Sequence, residues 1–411
     1  MYINNSTNAK LNKIRGFGGL PAHVLVNIFQ YFDEEELRNN IIPVCQQWRL
    51  AAENPILWRT LTFVGNNVKT TLICDKIWQY NQAEDIYLKH VLKPIIIIRQ
   101  ICRCSKYLQY LTLRYCSGIT EDALRHVISK CKHLRSLDLK GTPFSSLIFY
   151  EELACMKNLT SINLSENKRL TRSNILTVAV NCRRLEGFHL STFEPTSKFF
   201  LDDSDCYFIL TSIMHELRHL SLDCSSLNSY AISFVRCCYN LRYLCLNYAY
   251  NFDGSHFQLL WKSLTKLTTL KVRFAHQITD LNVKHLFEEG SEALANLEVI
   301  DFTGCLKISD GGINAIANCC GKLRTLNIRG CKNIRSLLLI SKNCKLLEIL
   351  NVAFCENLDT NQMLVPAALK VLYISDRKEL RNFANLVRGI YSGICIKMCD
   401  SEFNKFVVNY K

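Results

Sequence analysis

The sequence predicts an α/β fold in two parts: a small N-terminal module of three short helices, then a solenoid of stacked strand–turn–helix repeats. Three observations carry this reading. A pattern Leu-x-x-Leu-x-Leu, with conservative replacements, returns from residue 108 to residue 374. Residues 20–58 break into three apolar stretches punctuated by proline. The composition, 48% hydrophobic and 21% charged with seven prolines in 411 residues, is that of a packed chain too long for one ordinary core.

Residues 1–15 are polar and Asn-rich, without an apolar stretch of the signal-peptide kind. The longest aliphatic run, Ile95 to Ile98, ends at Arg99, far short of the roughly 20 residues a bilayer span needs. Neither secretion nor membrane insertion is expected, and residence in the cytoplasm and/or nucleus follows. In such a compartment the 21 cysteines are expected as reduced thiols that pack as small hydrophobes. No Cys-x-x-Cys pair occurs, so no metal is expected, and no motif asks for a cofactor. The net charge is +14, almost all of it beyond residue 65. Such a balance suits an acidic or phosphorylated partner, or simply a solvated surface.

The N-terminal module follows from local chemistry. Pro21 suits a first helical turn, and Val24, Leu25, Ile28, Phe29 and Phe32 form an apolar stripe at helical spacing. Asp33 followed by Glu36 reads as a capping box opening a second helix that carries Leu37. Pro43 restarts the chain into a third helix bearing Val44, Cys45, Trp48 and Ala52, which stops near Asn54-Pro55. So short a module has a marginal core, and a partner that covers part of its apolar surface would stabilise it.

Taken in order, Leu20-Pro21, Ile28-Phe29, Leu37, Val44-Cys45, Trp48-Arg49 and Pro55 with Leu57-Trp58 resemble the F-box. Ala22-His23, where that family commonly has an acidic residue, and Phe32, where it favours leucine, are mild departures. The resemblance implies docking onto a Skp-type adaptor and, through it, onto cullin and RING subunits of a ubiquitin ligase. It places Leu20, Pro21, Val24, Leu25, Ile28, Phe29, Leu37, Val44, Cys45, Trp48, Leu57 and Trp58 at or beneath the adaptor interface, without separating the two.

Beyond the module, eleven copies run from Leu108-Leu111-Leu113 to Leu369-Leu372-Ile374, spaced 22 to 32 residues apart, close to the leucine-rich-repeat period. Ala83-Ile86-Leu88 reads as a degraded first copy. Within a copy the alternating Leu-x-Leu is a short strand with one face buried. The residues after it switch to helical spacing, as Ala123, Leu124, Ile128 and Cys131 do after Leu113. One unit cannot bury its apolar face alone, so copies stack, with parallel strands on the concave side and helices on the convex side. Eleven strands at about 4.8 Å give a surface on the order of 50 Å long, suited to gripping a macromolecule. Cys116, Cys305, Cys331 and Cys355 recur three residues after the strand, and Cys131, Cys182, Cys238, Cys320 and Cys344 near the helix end. This resembles the cysteine-containing class of leucine-rich repeats, which implies that these thiols pack inside the turns.

The expected boundaries are a flexible tail over 1–16, the F-box over 17–63, a linker and degenerate repeat over 64–107, repeats over 108–380 and a C-terminal cap over 381–411. Residues 191–216 are expanded, with Phe193, Phe199, Phe200, Asp202, Asp203 and Asp205, as a partner-facing loop or a slack connection. Side chains between the buried anchors alternate onto the open strand face. There the reading places Tyr110, Arg114, Lys140, His189, Tyr243, Lys271, Arg273, Arg329 and Tyr373, tempered by Asp138, Asp223 and Asp301. Lys271, Arg273 and Arg329 form the candidate grip for an acidic or phosphorylated segment, the alternative being scattered solvated charge.

Two patterns are set aside. His215-Glu216-Leu217-Arg218-His219 matches His-Glu-x-x-His, but Leu217 and Leu220 are repeat anchors, so the two histidines do not share a helix. Gly16-Phe17-Gly18-Gly19 lacks the strand and further glycine of a dinucleotide loop. Nucleic-acid binding finds no aromatic-and-basic motif. The expectation is a non-catalytic substrate receptor of a Skp–cullin–F-box ubiquitin ligase, serving proteasomal degradation of a bound protein. The alternative is a non-degradative scaffold using the same F-box–Skp pair.

Overall fold

The computed structural model describes residues 20–191, 201–257, 260–391 and 393–399. The expected tail over 1–16, the glycines at 16–19, Phe193, Phe199, Phe200 and the last residues of the expected cap lie outside them. The chain divides into two compact units, Met1–Asp138 and Leu139–Lys411.

In the first unit, helix α1 (Ala22–Phe29) is N-capped by Pro21, which stands just outside it, and buries Leu25, Val26 and Phe29. Phe32 falls beyond the helix end and is exposed, so Val26 completes the inward stripe that the sequence reading had extended to Phe32. Helix α2 (Glu34–Glu36) starts on the expected capping box: the Glu36 N–H donates to Asp33 Oδ1 at 2.8 Å and the Asp33 N–H to Glu36 Oε2 at 3.0 Å. It widens into a π turn, Leu37–Ile41, that sends both end residues inward. Helix α3 (Gln46–Ala52) starts later than expected. Val44 precedes it and Cys45 is its N-cap, the thiol accepting from the Trp48 N–H at 3.5 Å.

Strand–helix alternation begins at β1 (Thr60–Val64), inside the segment assigned to the F-box. It continues through α4 (Thr70–Gln79), β2 (Asp85–Lys89), α5 (Pro94–Cys104), β3 (Tyr110–Arg114), α6 (Glu121–Lys130) and β4 (Ser136–Asp138). The span expected as linker and degenerate repeat thus holds the helix that completes the β1 unit and one whole strand–helix unit, β2 with α5. The strands pair in parallel, in register through Leu61, Ile86, Leu111 and Leu137, all almost fully buried. The repeat at β1 escapes the leucine pattern because its anchors are Trp58, Leu61 and Phe63. Trp58 therefore belongs to both parts. Its indole N–H donates to the Ala52 carbonyl at 2.6 Å, and its ring stacks on Tyr80 at 4.9 Å. Alongside it, Glu34 of the capping turn accepts from the Thr62 N–H at 3.1 Å.

The second unit holds β5 (Ser161–Asn163), β6 (Gly187–Leu190), β7 (His219–Asp223), β8 (Tyr243–Asn247) and β9 (Thr269–Val272). It continues with β10 (Val299–Asp301), β11 (Thr325–Asn327), β12 (Ile349–Asn351), β13 (Val371–Ser375) and β14 (Cys395–Cys399). These pair in parallel and in chain order, with Ile162, Phe188, Leu220, Leu244, Leu270, Ile300, Leu326, Leu350, Leu372 and Ile396 on one rung. The expected cap instead contributes a helix, Lys378–Ile390, and strand β14, one more turn of the alternation. Its spacing, Gly393-x-x-Ile396-x-Met398, keeps the rhythm without a leucine.

The recurring thiols are buried as the pattern implied. Three of those that follow a strand donate to a strand-end carbonyl one repeat earlier: Cys305 to Val272 at 3.2 Å, Cys331 to Phe302 at 3.0 Å and Cys355 to Ile328 at 3.1 Å. Burial pushes the Cys305 and Cys355 thiols up to about 12, which keeps them protonated and able to donate. His219 opens β7 while His215 lies in the turn before it, so the His-Glu-x-x-His pattern never shares a helix face. Among the described residues no helix is long and apolar enough to cross a membrane.

Candidate docking and recognition surfaces

The F-box residues separate into two sets that the sequence could not tell apart. Leu25, Phe29, Leu37 and Trp58 are interior, at 0 to 3% exposure. Pro21, Val44 and Cys45 are open to solvent, and Leu20, Val24, Ile28, Trp48 and Leu57 are half-buried. Trp48 leans edge-on against Phe29, with ring centroids 5.2 Å apart. The Gln47 side-chain amide donates to the Leu20 carbonyl at 2.7 Å and so fixes the entry of the chain to α3. Sequence reasoning passed over Tyr31, Leu50 and Ile56, which are exposed at 90, 63 and 39%. The adjacent buried Ala51 and Ala52 carry the signal for Leu50, since the helix face holding them turns its neighbour outward. A cleft of about 290 Å³ opens between the end of α1 and the Pro55–Leu57 turn, lined by Phe29, Gln30, Phe32, Ile56, Leu57 and Arg59.

On the strand face, most of the predicted cations already have acids. In the first unit Arg114 pairs with Asp138 at 2.8 Å and lies over the Tyr87 ring at 5.7 Å, while Tyr110 at the start of the same strand is exposed. In the second, Lys140 pairs with Glu166 at 3.0 Å. Arg273 donates from Nη2 and Nε to Asp301 Oδ2 at 2.6 and 2.9 Å. Asn327 also donates to that oxygen, at 3.1 Å, while the Thr303 N–H and hydroxyl donate to Asp301 Oδ1. Burial alone would raise the Asp301 carboxyl. The Arg273 guanidinium, its hydrogen bonds, Lys271 and the Thr303 hydroxyl outweigh burial and hold it below the usual range. Lys271 lies 5.1 Å from the Tyr243 ring, and burial followed by repulsion from Arg273 lowers its pKa. His189 meets Tyr243 edge-on at 6.0 Å. Tyr373 is buried, with Lys397 donating to its hydroxyl at 3.3 Å.

The expected grip of Lys271, Arg273 and Arg329 does not form one open cationic patch. Asp301 neutralises Arg273, and Arg329, only 3% exposed, turns to the Phe354 ring at 4.5 Å. The structure gathers Tyr243, Lys271, Arg273 and Asp301 into one interior network instead. No local sequence signal announces it, because the neutralising acid stands 28 residues from its arginine.

The chain resembles known proteins in sequence and in fold. A family model described as F-box-like matches residues 17–64. An F-box/LRR-repeat protein of Arabidopsis thaliana is 24% identical over 225 residues, 54% of this chain and 67% of that protein. The disease resistance protein RPP2A of the same plant is 32% identical over 146 residues, 33% of this chain. The chain spans only 10% of the length of RPP2A. Among solved structures, the Rad7 and Elc1 complex in yeast matches 92% of this chain and 88% of the other at a TM-score of 0.51 and 14% identity, a likeness of fold. An internalin from Listeria monocytogenes matches 94% of this chain and 99% of its own at a TM-score of 0.42 and 17% identity. With an F-box-like segment over its first helices and a parallel, leucine-anchored ladder after them, the chain is similar to the F-box/leucine-rich-repeat proteins.

Proposed function

We propose that this chain is the substrate-recognition subunit of a Skp–cullin–F-box ubiquitin ligase. The F-box docks on a Skp-type adaptor and, through it, on cullin and RING subunits. The repeats hold a protein destined for proteasomal degradation, in the cytoplasm and/or nucleus. The observation that carries this reading is the division within the F-box-like segment. Its interior is filled by Leu25, Phe29, Leu37 and Trp58, yet Val44, Leu50 and Ile56 stay exposed and Leu20, Ile28 and Trp48 half-exposed. Grouped apolar exposure of this kind marks a docking surface. In this role the chain performs no covalent chemistry. It raises the effective concentration of a bound protein's lysines near a charged conjugating enzyme that other subunits recruit.

Affinity purification of the full chain beside a Val44→Asp, Leu50→Asp variant tests the proposal. Adaptor and cullin should accompany the parent only, and a protein retained by both should accumulate in cells expressing the variant. Absence of adaptor from the parent overturns the reading. Adaptor binding with unchanged levels of every retained protein selects the non-degradative scaffold.

A further inference from the structure

We infer that the trough between helices α4 and α5, on the helix side of the first unit, holds an extended acidic peptide segment of a partner protein. The inference goes beyond the receptor reading above and does not rest on it.

The trough follows from the periodicity of α5. That helix turns Ile97, Ile98 and Ile101 into the core. Residues at i, i+3, i+4 and i+7 share a helix face, so Ile96, Arg99, Gln100 and Arg103 form a second stripe beside the buried one. This stripe lines an open space of about 460 Å³ together with the first turns of α4 and with Lys93, just before α5. The Thr70 hydroxyl donates to the Leu92 carbonyl at 3.3 Å, which ties the start of α4 to the turn before α5.

Elsewhere along the ladder, a cation that reaches toward the next repeat meets an acid there. Arg172 pairs with Asp205 at 2.7 Å, and Arg324 with Glu348 at 2.7 Å. Lys93, Arg99 and Arg103 are all exposed, and none of their side chains engages an acid among the described residues. Asp75 is the one carboxylate among the described lining residues, so the balance of charge is positive. A ligand that complements the trough is therefore acidic.

Spacing selects the kind of acid. Along α5, at 1.5 Å per residue, Lys93 to Arg103 spans about 15 Å, too far for a single phosphate to meet all three cations. In an extended chain, residues i, i+2 and i+4 face one way and span roughly 13 Å, so three alternating acids match three cations. A single-stranded nucleic acid also stacks its bases on aromatic rings, and no aromatic residue is among the described lining residues. Asp75 repels a uniform polyanion, whereas a peptide can set a neutral residue opposite it. A trough admits one chain, while a bilayer surface would meet only its rim.

Fluorescence polarisation on the full chain at low salt tests this, with labelled synthetic decapeptides that alternate serine with glutamate, glutamine or lysine. The glutamate probe should bind about tenfold tighter than the glutamine probe, and the lysine probe should not bind. The Arg99→Glu, Arg103→Glu variant should weaken the glutamate probe about tenfold or more, since two attractions become repulsions. The Arg99→Lys, Arg103→Lys variant keeps the charge and should keep the binding. A Lys342→Glu, Lys345→Glu variant changes net charge equally at exposed positions of the second unit, and should bind as the parent does. All six substitutions replace exposed side chains, so the fold should persist. Labelled oligothymidylate and phosphatidylserine vesicles serve as competing polyanions. The inference is overturned by a glutamate probe that does not bind, by equal losses in the two glutamate variants, or by no loss in either. Tighter binding of oligothymidylate or of vesicles than of the glutamate probe overturns it too.

Discussion

In the F-box segment eight of the twelve residues predicted for docking keep some solvent exposure, whereas the repeat rungs from Ile162 to Leu372 are buried to 1% or less. The two regions share a taste for leucine and tryptophan but close their cores differently. A repeat is completed by the repeat beside it, so each anchor is covered by the chain itself. Three short helices meet the first repeat along Trp58 and the capping turn, through Tyr80 and Thr62. Once Leu25, Phe29, Leu37 and Trp58 are inside, the remaining apolar groups face water. Internal completion in one region and external completion in the other is what a receptor with a docking end would need.

That contrast can be broken at the residue both regions share. Trp58→Ala should cost about 3–5 kcal/mol, because a buried tryptophan leaves a cavity the site cannot collapse. Urea unfolding should show the loss, and adaptor capture should fall with it. Asp301→Asn should cost a similar ~3–5 kcal/mol by leaving the Arg273 guanidinium buried without its carboxylate. A drop below 1 kcal/mol would show that solvent reaches that network. Leu326→Ala should cost about 2–5 kcal/mol, as for any fully buried ladder leucine.

Acid sharpens the comparison. Because the Asp301 carboxyl is held below its ordinary value, its stabilising contribution is complete above pH ~4 and is lost as pH falls through the lower folded value. Unfolding midpoints measured from pH 6 to pH 2 should fall less steeply in Asp301→Asn than in the parent. The smallest stability change belongs to Val44→Asp, within about 0.5 kcal/mol, because the side chain is already in solvent. Its adaptor capture should nevertheless vanish, the reverse of what Leu326→Ala should show.

Much of the fold was legible because the anchors of a repeat lie within six residues of one another. The repeats at β1 and β14 were not, since Trp58-x-x-Leu61-x-Phe63 and Gly393-x-x-Ile396-x-Met398 keep the spacing while changing the residue types. The F-box motif grouped twelve residues without telling the interior ones from the exposed. Val44 and Cys45 read as helical, yet they form the turn and the cap before α3. The cationic grip failed for a different reason: an arginine's acid can stand a whole repeat away, where no local pattern reports it.

The thiols buried in the turns make the ladder its own recorder of opening. Cys45, Cys155, Cys237 and Cys395 are exposed and open to an alkylating reagent in the native chain. Cys305, Cys331 and Cys355 are fully buried, protonated and occupied as donors, so each becomes reactive only when its own turn comes apart. Adducts located by mass spectrometry after brief labelling would therefore give the order in which neighbouring repeats let go. A chain that melts from one end would leave a gradient of label along its length, and one that melts all at once would leave none.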